Sequence, residues 1–159
     1  MGVTIKLEGI GEVDKALKQL EEDFGAKTAQ AKVLVPAVRE AMRPVLLAAR
    51  ENAPKDTGDL TRSLIVEARR PTKRDRRSKY ITQTDTVIAA VTTASGKKLA
   101  KMGIKSDARA IAQEFGTAHN PAQPYLRPAL ESNAQNTVNR LSEILARRIN
   151  QYRATMGKG

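Results

Sequence analysis

No cysteine occurs in the chain, which excludes disulfides, thiolate metal sites and thiol nucleophiles. That absence fits a reducing compartment or a protein assembled inside a cell. Tryptophan is missing too, and there are only two Phe and three Tyr. The core must therefore lean on Leu, Ile, Val and Ala, which favours helix packing over an aromatic-rich sandwich. No run of about eighteen apolar residues is present, so no membrane-spanning segment is expected. Met1-Gly2-Val3-Thr4-Ile5-Lys6 lacks the charged-then-apolar order of a signal peptide. A chain made and folded as a soluble protein is expected. Acidic residues are also scarce: 17 Asp and Glu stand against 28 Lys and Arg, for a formal charge of +11 and a pI near 10.2. This imbalance calls for an acidic partner, whether nucleic acid, an anionic membrane or an acidic protein surface, and selects none of them.

What is present is enough for one domain spanning 1–159: 40% of the residues are hydrophobic, and a chain of this length buries roughly two-thirds of its unfolded surface. Val3, Ile5 and Leu7 alternate with polar residues, the pattern of a short strand ended by Gly9 and Gly11. Val13, Leu17, Leu20 and Phe24 recur at helical spacing, and Gly25 stops that helix. A second helical stretch runs from about 27 to 52, with Leu34, Val38, Met42, Val45, Leu46 and Ala49 on one side. Pro36 and Pro44 lie inside it, and an interior proline costs about 3 kcal/mol, so a kink or break is expected near Pro44. Leu64, Val66 and Ala68 read as a second strand and 86–92 as a third, forming a hairpin. The segment 108–115 fits a helical turn or an edge strand equally well. A last amphipathic helix, about 128 to 153, carries Leu130, Ala134, Val138, Leu141, Leu145, Ile149 and Tyr152 on one stripe, before a frayed tail. The predicted class is α+β: a small, mainly antiparallel sheet packed against two long helices.

The most constrained stretch lies between these elements. Pro121, Pro124 and Pro128 fall within eight residues, each fixing φ and removing a backbone donor. Gly116 can take the positive φ that ends a helix, and Phe115 and Tyr125 flank the prolines. This reads as a rigid elbow. The turn from Ala53 to Leu60 is similar in kind: Pro54 ends a helix, Asp56 and Thr57 offer acceptors, and Gly58 supplies permissive φ.

No catalytic, metal or cofactor constellation emerges. His119 is the lone histidine, and Glu114 is the closest acid in sequence. Ser63 lacks the setting of a nucleophile elbow, and capping explains it. Asp56 and Asp59 lie between Lys55 and Arg62 in no calcium-loop pattern. Gly9-Ile10-Gly11 lacks the third glycine of a dinucleotide turn. The serious candidate is the run from Arg69 to Lys79, in which Arg69, Arg70, Lys73, Arg74, Arg76, Arg77 and Lys79 accompany one acid, Asp75. Self-repelling charge predicts a long, mobile, solvated hairpin loop at about 69–80. The run could contact phosphates without reading bases, though no aromatic lies between Arg69 and Lys79 to stack on them. Docking onto an acidic protein surface, or no specific role, fits the same residues.

Two stretches resemble a known family. Ala53-Pro54, Thr57-Gly58, Leu60 and Ser63 look like its A-P-x-x-T-G-x-L-x-x-S segment. Glu114-Phe115-Gly116-Thr117, followed by Pro121-Ala122-Gln123-Pro124-Tyr125-Leu126-Arg127-Pro128-Ala129, is similar to its E-F-G-T … A-Q-P-F-L-R-P-A segment, with Tyr125 in place of Phe. In this order and separation they resemble the small tail-component proteins of long-tailed bacteriophages, the gene-product-ten-like family of the lambdoid siphophages. The likeness covers about residues 30–130 and leaves out the basic run. It implies a non-enzymatic virion protein made in the host bacterial cytoplasm, acting in tail completion and head–tail joining. It further implies other neck and tail proteins as partners and a homo-oligomeric ring around the DNA channel. No cofactor, metal or membrane is expected, and the positive charge would serve either acidic faces of neighbouring ring proteins or non-specific contact with the DNA in the channel. A nucleic-acid-binding protein using the basic loop is the alternative. The motif residues are expected to work as turns and packing joints.

Overall fold

The computed structural model describes residues 12–55, 58–104, 114, 118–119 and 121–157. Within them the chain is α+β, with 64% of it helical and one two-stranded antiparallel sheet. The expected strand at 3–7, the ambiguous segment at 108–113, and Asp56, Thr57 and 115–117 lie outside the described residues.

Helix α1 (Glu12–Phe24) buries Leu20 completely and ends at Gly25, whose φ of 89° is open only to glycine at little cost. The second helical stretch is built in pieces, as its prolines require. Helix α2 (Ala26–Ala29) leads into a π-helical turn, Gln30–Leu34, where Val35 N–H bonds the Gln30 carbonyl five residues back. Helix α3 (Val35–Ala41) follows at once with Pro36 in its first turn, where its missing N–H is least costly. Met42 then leaves the helix for one residue, at φ −79° and ψ −6°. Helix α4 (Arg43–Asn52) restarts with Pro44 in its first turn. The break falls where Pro44 cannot donate. Ala53 is extended, as the residue before Pro54 must be, and Gly58 at φ 77° starts the short helix α5 (Asp59–Ser63).

Strands β1 (Leu64–Arg69) and β2 (Ile88–Thr93) pair with Leu64 opposite Thr93 and Arg69 opposite Ile88. Leu64, Val66 and Ala68 face one way together with Ala89 and Val91, and this face meets α3 and α4. On the opposite face Ile65 packs on a small second cluster of Ala94, Leu99 and Ile104, two of them contributed in and just after helix α6 (Gly96–Lys101). Helix α7 (Leu126–Met156) is 31 residues long and lies across α3, α4 and α1. It starts two residues before the expected 128 and ends three after the expected 153, and it buries Ala129, Leu141, Ile144, Leu145 and Ile149. Its far end is anchored on α1: Phe24 and Tyr152 meet edge to face at 5.3 Å, and Arg153 reaches Asp23 at 2.8 Å. Arg147 and Arg148 share Glu40 of α3.

Candidate functional site: a helix joint and a basic hairpin

The elbow is organised by one carboxyl group. A helix leaves its first amides without intrahelical partners, and an interior end must find acceptors for them. Glu114 lies buried and turns both oxygens on the start of α7. Oε2 accepts from Tyr125 N–H at 2.7 Å and from Leu126 N–H at 2.9 Å, and Oε1 accepts from Arg127 N–H at 3.0 Å. The next residue is Pro128, which has no N–H to satisfy. All the orphan donors of the first turn are thus served by one side chain 11 to 13 residues upstream. Negative charge at this end also opposes the positive end of the helix dipole. This explains why α7 begins before Pro128: the proline sits in the first turn and the acceptors stand upstream of it.

Tyr125 locks the same joint from the core side. It is the largest of the fully buried side chains and packs in the main cluster with Ala129, Leu141 and Leu145. Leu126 packs partly buried beside it, whereas Pro121, Gln123, Pro124, Arg127 and Pro128 are exposed. The structure therefore brings Glu114, Tyr125, Leu126 and Arg127 together and leaves the prolines on the surface as a stiff approach. In the other motif, Pro54 is half-buried after α4, Gly58 opens α5, and Leu60 packs against the main core. Ser63 is buried; its hydroxyl donates to the Leu60 carbonyl at 2.6 Å, and its own carbonyl accepts from Ala94 N–H at 2.8 Å. His119 is exposed, and Asp59 pairs with Arg62 at 2.6 Å. Among the described residues no three His, Cys, Asp or Glu side chains cluster to hold a metal. Among them, too, no helix is long and apolar enough to cross a membrane.

Two arginines absent from the sequence reading close the sheet. The Ala94-to-Ser63 bond marks that pair as hydrogen-bonded, so by antiparallel alternation Leu64 and Ala68 turn their carbonyls away from β2. Arg50 donates to the Leu64 carbonyl at 2.9 Å and Arg39 to the Ala68 carbonyl at 3.1 Å. Guanidinium groups from α3 and α4 therefore occupy two of the outward carbonyls of β1 that an added strand would use. A helical residue that serves a strand carbonyl leaves no periodic signal, because its target is 14 or 29 residues away.

The basic run carries its own internal bonds. Arg69 forks onto Asp75, with Nη1 at 2.6 Å and Nη2 at 3.1 Å, and also reaches Glu67 at 3.0 Å. Asp75 additionally accepts from Thr72 N–H and Thr72 Oγ1, each at 2.7 Å, at the head of a 3₁₀ turn, Asp75–Arg77. Arg69 holds the Asp75 carboxyl far below the ordinary carboxylate range, helped by both Thr72 donors, and the Arg69 guanidinium is raised in turn, chiefly by Asp75. Arg76 donates to the carbonyls of Thr82 and Asp85, and Asp85 accepts from Thr82 N–H at 2.8 Å. Arg70, Lys73, Arg74, Arg77 and Lys79 are exposed around this frame. Lys79 lies over the Tyr80 ring, 5.0 Å from its centroid.

Fold and site together define a class: a compact helical layer over a β-hairpin, with a capped joint aiming the last helix and a charged hairpin projecting from the sheet. Residues 14–116 match the model of the family described as "Bacteriophage HK97-gp10, putative tail-component". The chain belongs to that family of phage tail components. No curated protein and no solved structure matches it.

Proposed function

We propose that the protein is a structural subunit of the neck of a long-tailed phage virion, where it completes the tail and joins it to the head. Its partners are the neighbouring neck and tail proteins, and it works as a homo-oligomeric ring around the DNA channel. The observation that carries this reading is family membership over 14–116. The geometry supports a mechanical role for the motif residues: Glu114 and Tyr125 cap and pack a helix, Gly58 opens a turn, and Ser63 is bonded within the backbone. A protein that works in this way performs no reaction and needs no cofactor. It sets the angle and rigidity of α7, a 31-residue lever whose outer side is available to a neighbour.

The test is assembly. In a phage carrying a disrupted gene for this chain, heads and tails should accumulate unjoined, and added purified protein should restore joined particles. Light scattering should show higher-order oligomers, alone or on isolated tails. A strict monomer that never enters particles would overturn the proposal.

A further inference from the structure

We infer that the hairpin is a preformed contact for the phosphate backbone of duplex DNA, made by Arg70, Lys73, Arg74 and Arg77, while Arg69 and Arg76 build the frame. The seven cations of the run separate into these groups by what they touch. Arg69 is spent on Asp75 and Glu67, and Arg76 on two loop carbonyls, which shapes the loop without a ligand. Lys79 lies over the Tyr80 ring, and the remaining four side chains are exposed, none with an ion pair or hydrogen bond among the described residues. Asp75, the acid inside the run, is already held by Arg69 and Thr72, so it does not neutralise them. The frame thus holds like charges close together against their repulsion. That arrangement is unfavourable in the free protein and favourable only beside a dense anion.

The surroundings decide which anion. Protein interfaces use arginine too, but set it among apolar and aromatic anchors. The hairpin offers Thr72 and Ser78 among its cations and Gln83 and Thr84 beyond them, all exposed. Its aromatic, Tyr80, has the Lys79 ammonium over its ring, so that face is not open for an unpaired base to stack on. Four exposed cations beside hydroxyls, with a single side-chain amide at Gln83 outside the basic run, are the chemistry of phosphate contact on a duplex rather than of stacking on unpaired bases. The identity of the duplex as DNA rests on the proposed position beside the channel; the phosphate contact rests on the hairpin alone.

The experiment measures binding of a mixed-sequence DNA duplex by fluorescence anisotropy as salt is varied. The wild type is compared with the fourfold variant Arg70→Gln, Lys73→Gln, Arg74→Gln, Arg77→Gln. A charge-matched control carries Arg43→Gln, Lys97→Gln, Lys98→Gln and Lys101→Gln, all exposed positions away from the hairpin. Four phosphate contacts should make wild-type affinity fall roughly 100-fold between about 50 and 200 mM salt. The hairpin variant should lose about four units of log–log salt slope and the control less than about one. Equal loss in both variants, or an unchanged slope in the hairpin variant, would overturn the inference. So would tighter binding of single strands than of duplex. Poly-glutamate displacing the duplex as well as a second duplex of equal charge would also overturn it, in favour of an acidic protein surface. Circular dichroism and a thermal melt confirm that each variant is folded. Particle joining is scored separately: a wild type that joins particles yet does not bind the duplex counts against this contact alone, and failure of wild type to join counts against the neck reading alone.

Discussion

The elbow and the hairpin are each built around one carboxyl group, and they put it to opposite uses. Glu114 is buried and reaches across 11 to 13 residues to serve backbone donors of another element. Asp75 works within its own turn, bonding Thr72 three residues before it and Arg69 six before it. The first organises the fold, because α7 cannot start without acceptors and the core cannot close without α7. The second organises only itself. Loss of Glu114 should therefore spread through the molecule, whereas loss of Asp75 should stay in the loop.

The largest effect is expected at Tyr125. Truncation to alanine leaves a void where the largest fully buried side chain stood, and large-to-small changes of this kind cost about 3–5 kcal/mol. Urea denaturation should show it as a lower midpoint. A loss under about 1 kcal/mol would mean that the joint is not packed as described. Glu114→Ala comes next, at about 3 kcal/mol, because three donors in a closed environment lose their acceptor at once. Glu114→Gln should cost less, since one carbonyl oxygen remains to accept. If alanine and glutamine behave alike, the carboxyl group is not the cap. Pro124→Gly should cost only about 1 kcal/mol, acting through the unfolded chain, because Pro124 is exposed. The same change should still impair particle joining if the elbow aims α7.

These expectations also show how far the sequence could be read. Periodicity locates the buried face of α7 and the core side of α3 and α4, because burial there follows the helical repeat. The prolines announce the break near Pro44 for the same local reason. The three donors served by Glu114 are not local: nothing in the spacing of Glu114 from Tyr125 distinguishes a cap from a solvated acid. The contacts of Arg39 and Arg50 with strand carbonyls are hidden likewise, since they depend on how α3 and α4 lie on β1. In the basic run, composition shows the charge but not its division, which depends on Asp75 meeting Arg69 rather than Arg74 or Arg76.

The smallest effect, and the sharpest contrast with the elbow, is expected when Asp75 is titrated. Its carboxyl is held far below the ordinary range, first by Arg69 and then by Thr72. An acid whose folded pKa is depressed adds stability that is complete above its unfolded value, near pH 4, and fades as pH falls through the folded value. Arg69 stays charged throughout, so the window is set by Asp75 alone. The carboxyl carbon shift of Asp75 in an NMR titration should stay that of a carboxylate from about pH 5 down through pH 4, where an unpaired aspartate is half protonated. At still lower pH the Thr72 amide should lose its protection from hydrogen exchange. Because the pair lies half-buried at the surface of its own loop, this local opening should barely move the global melting temperature, and Asp75→Asn should reproduce it at neutral pH. An ordinary titration near pH 4 would remove the frame from the hairpin, and with it the reason that four of its cations, but not Arg69, Arg76 and Lys79, are left to face a partner.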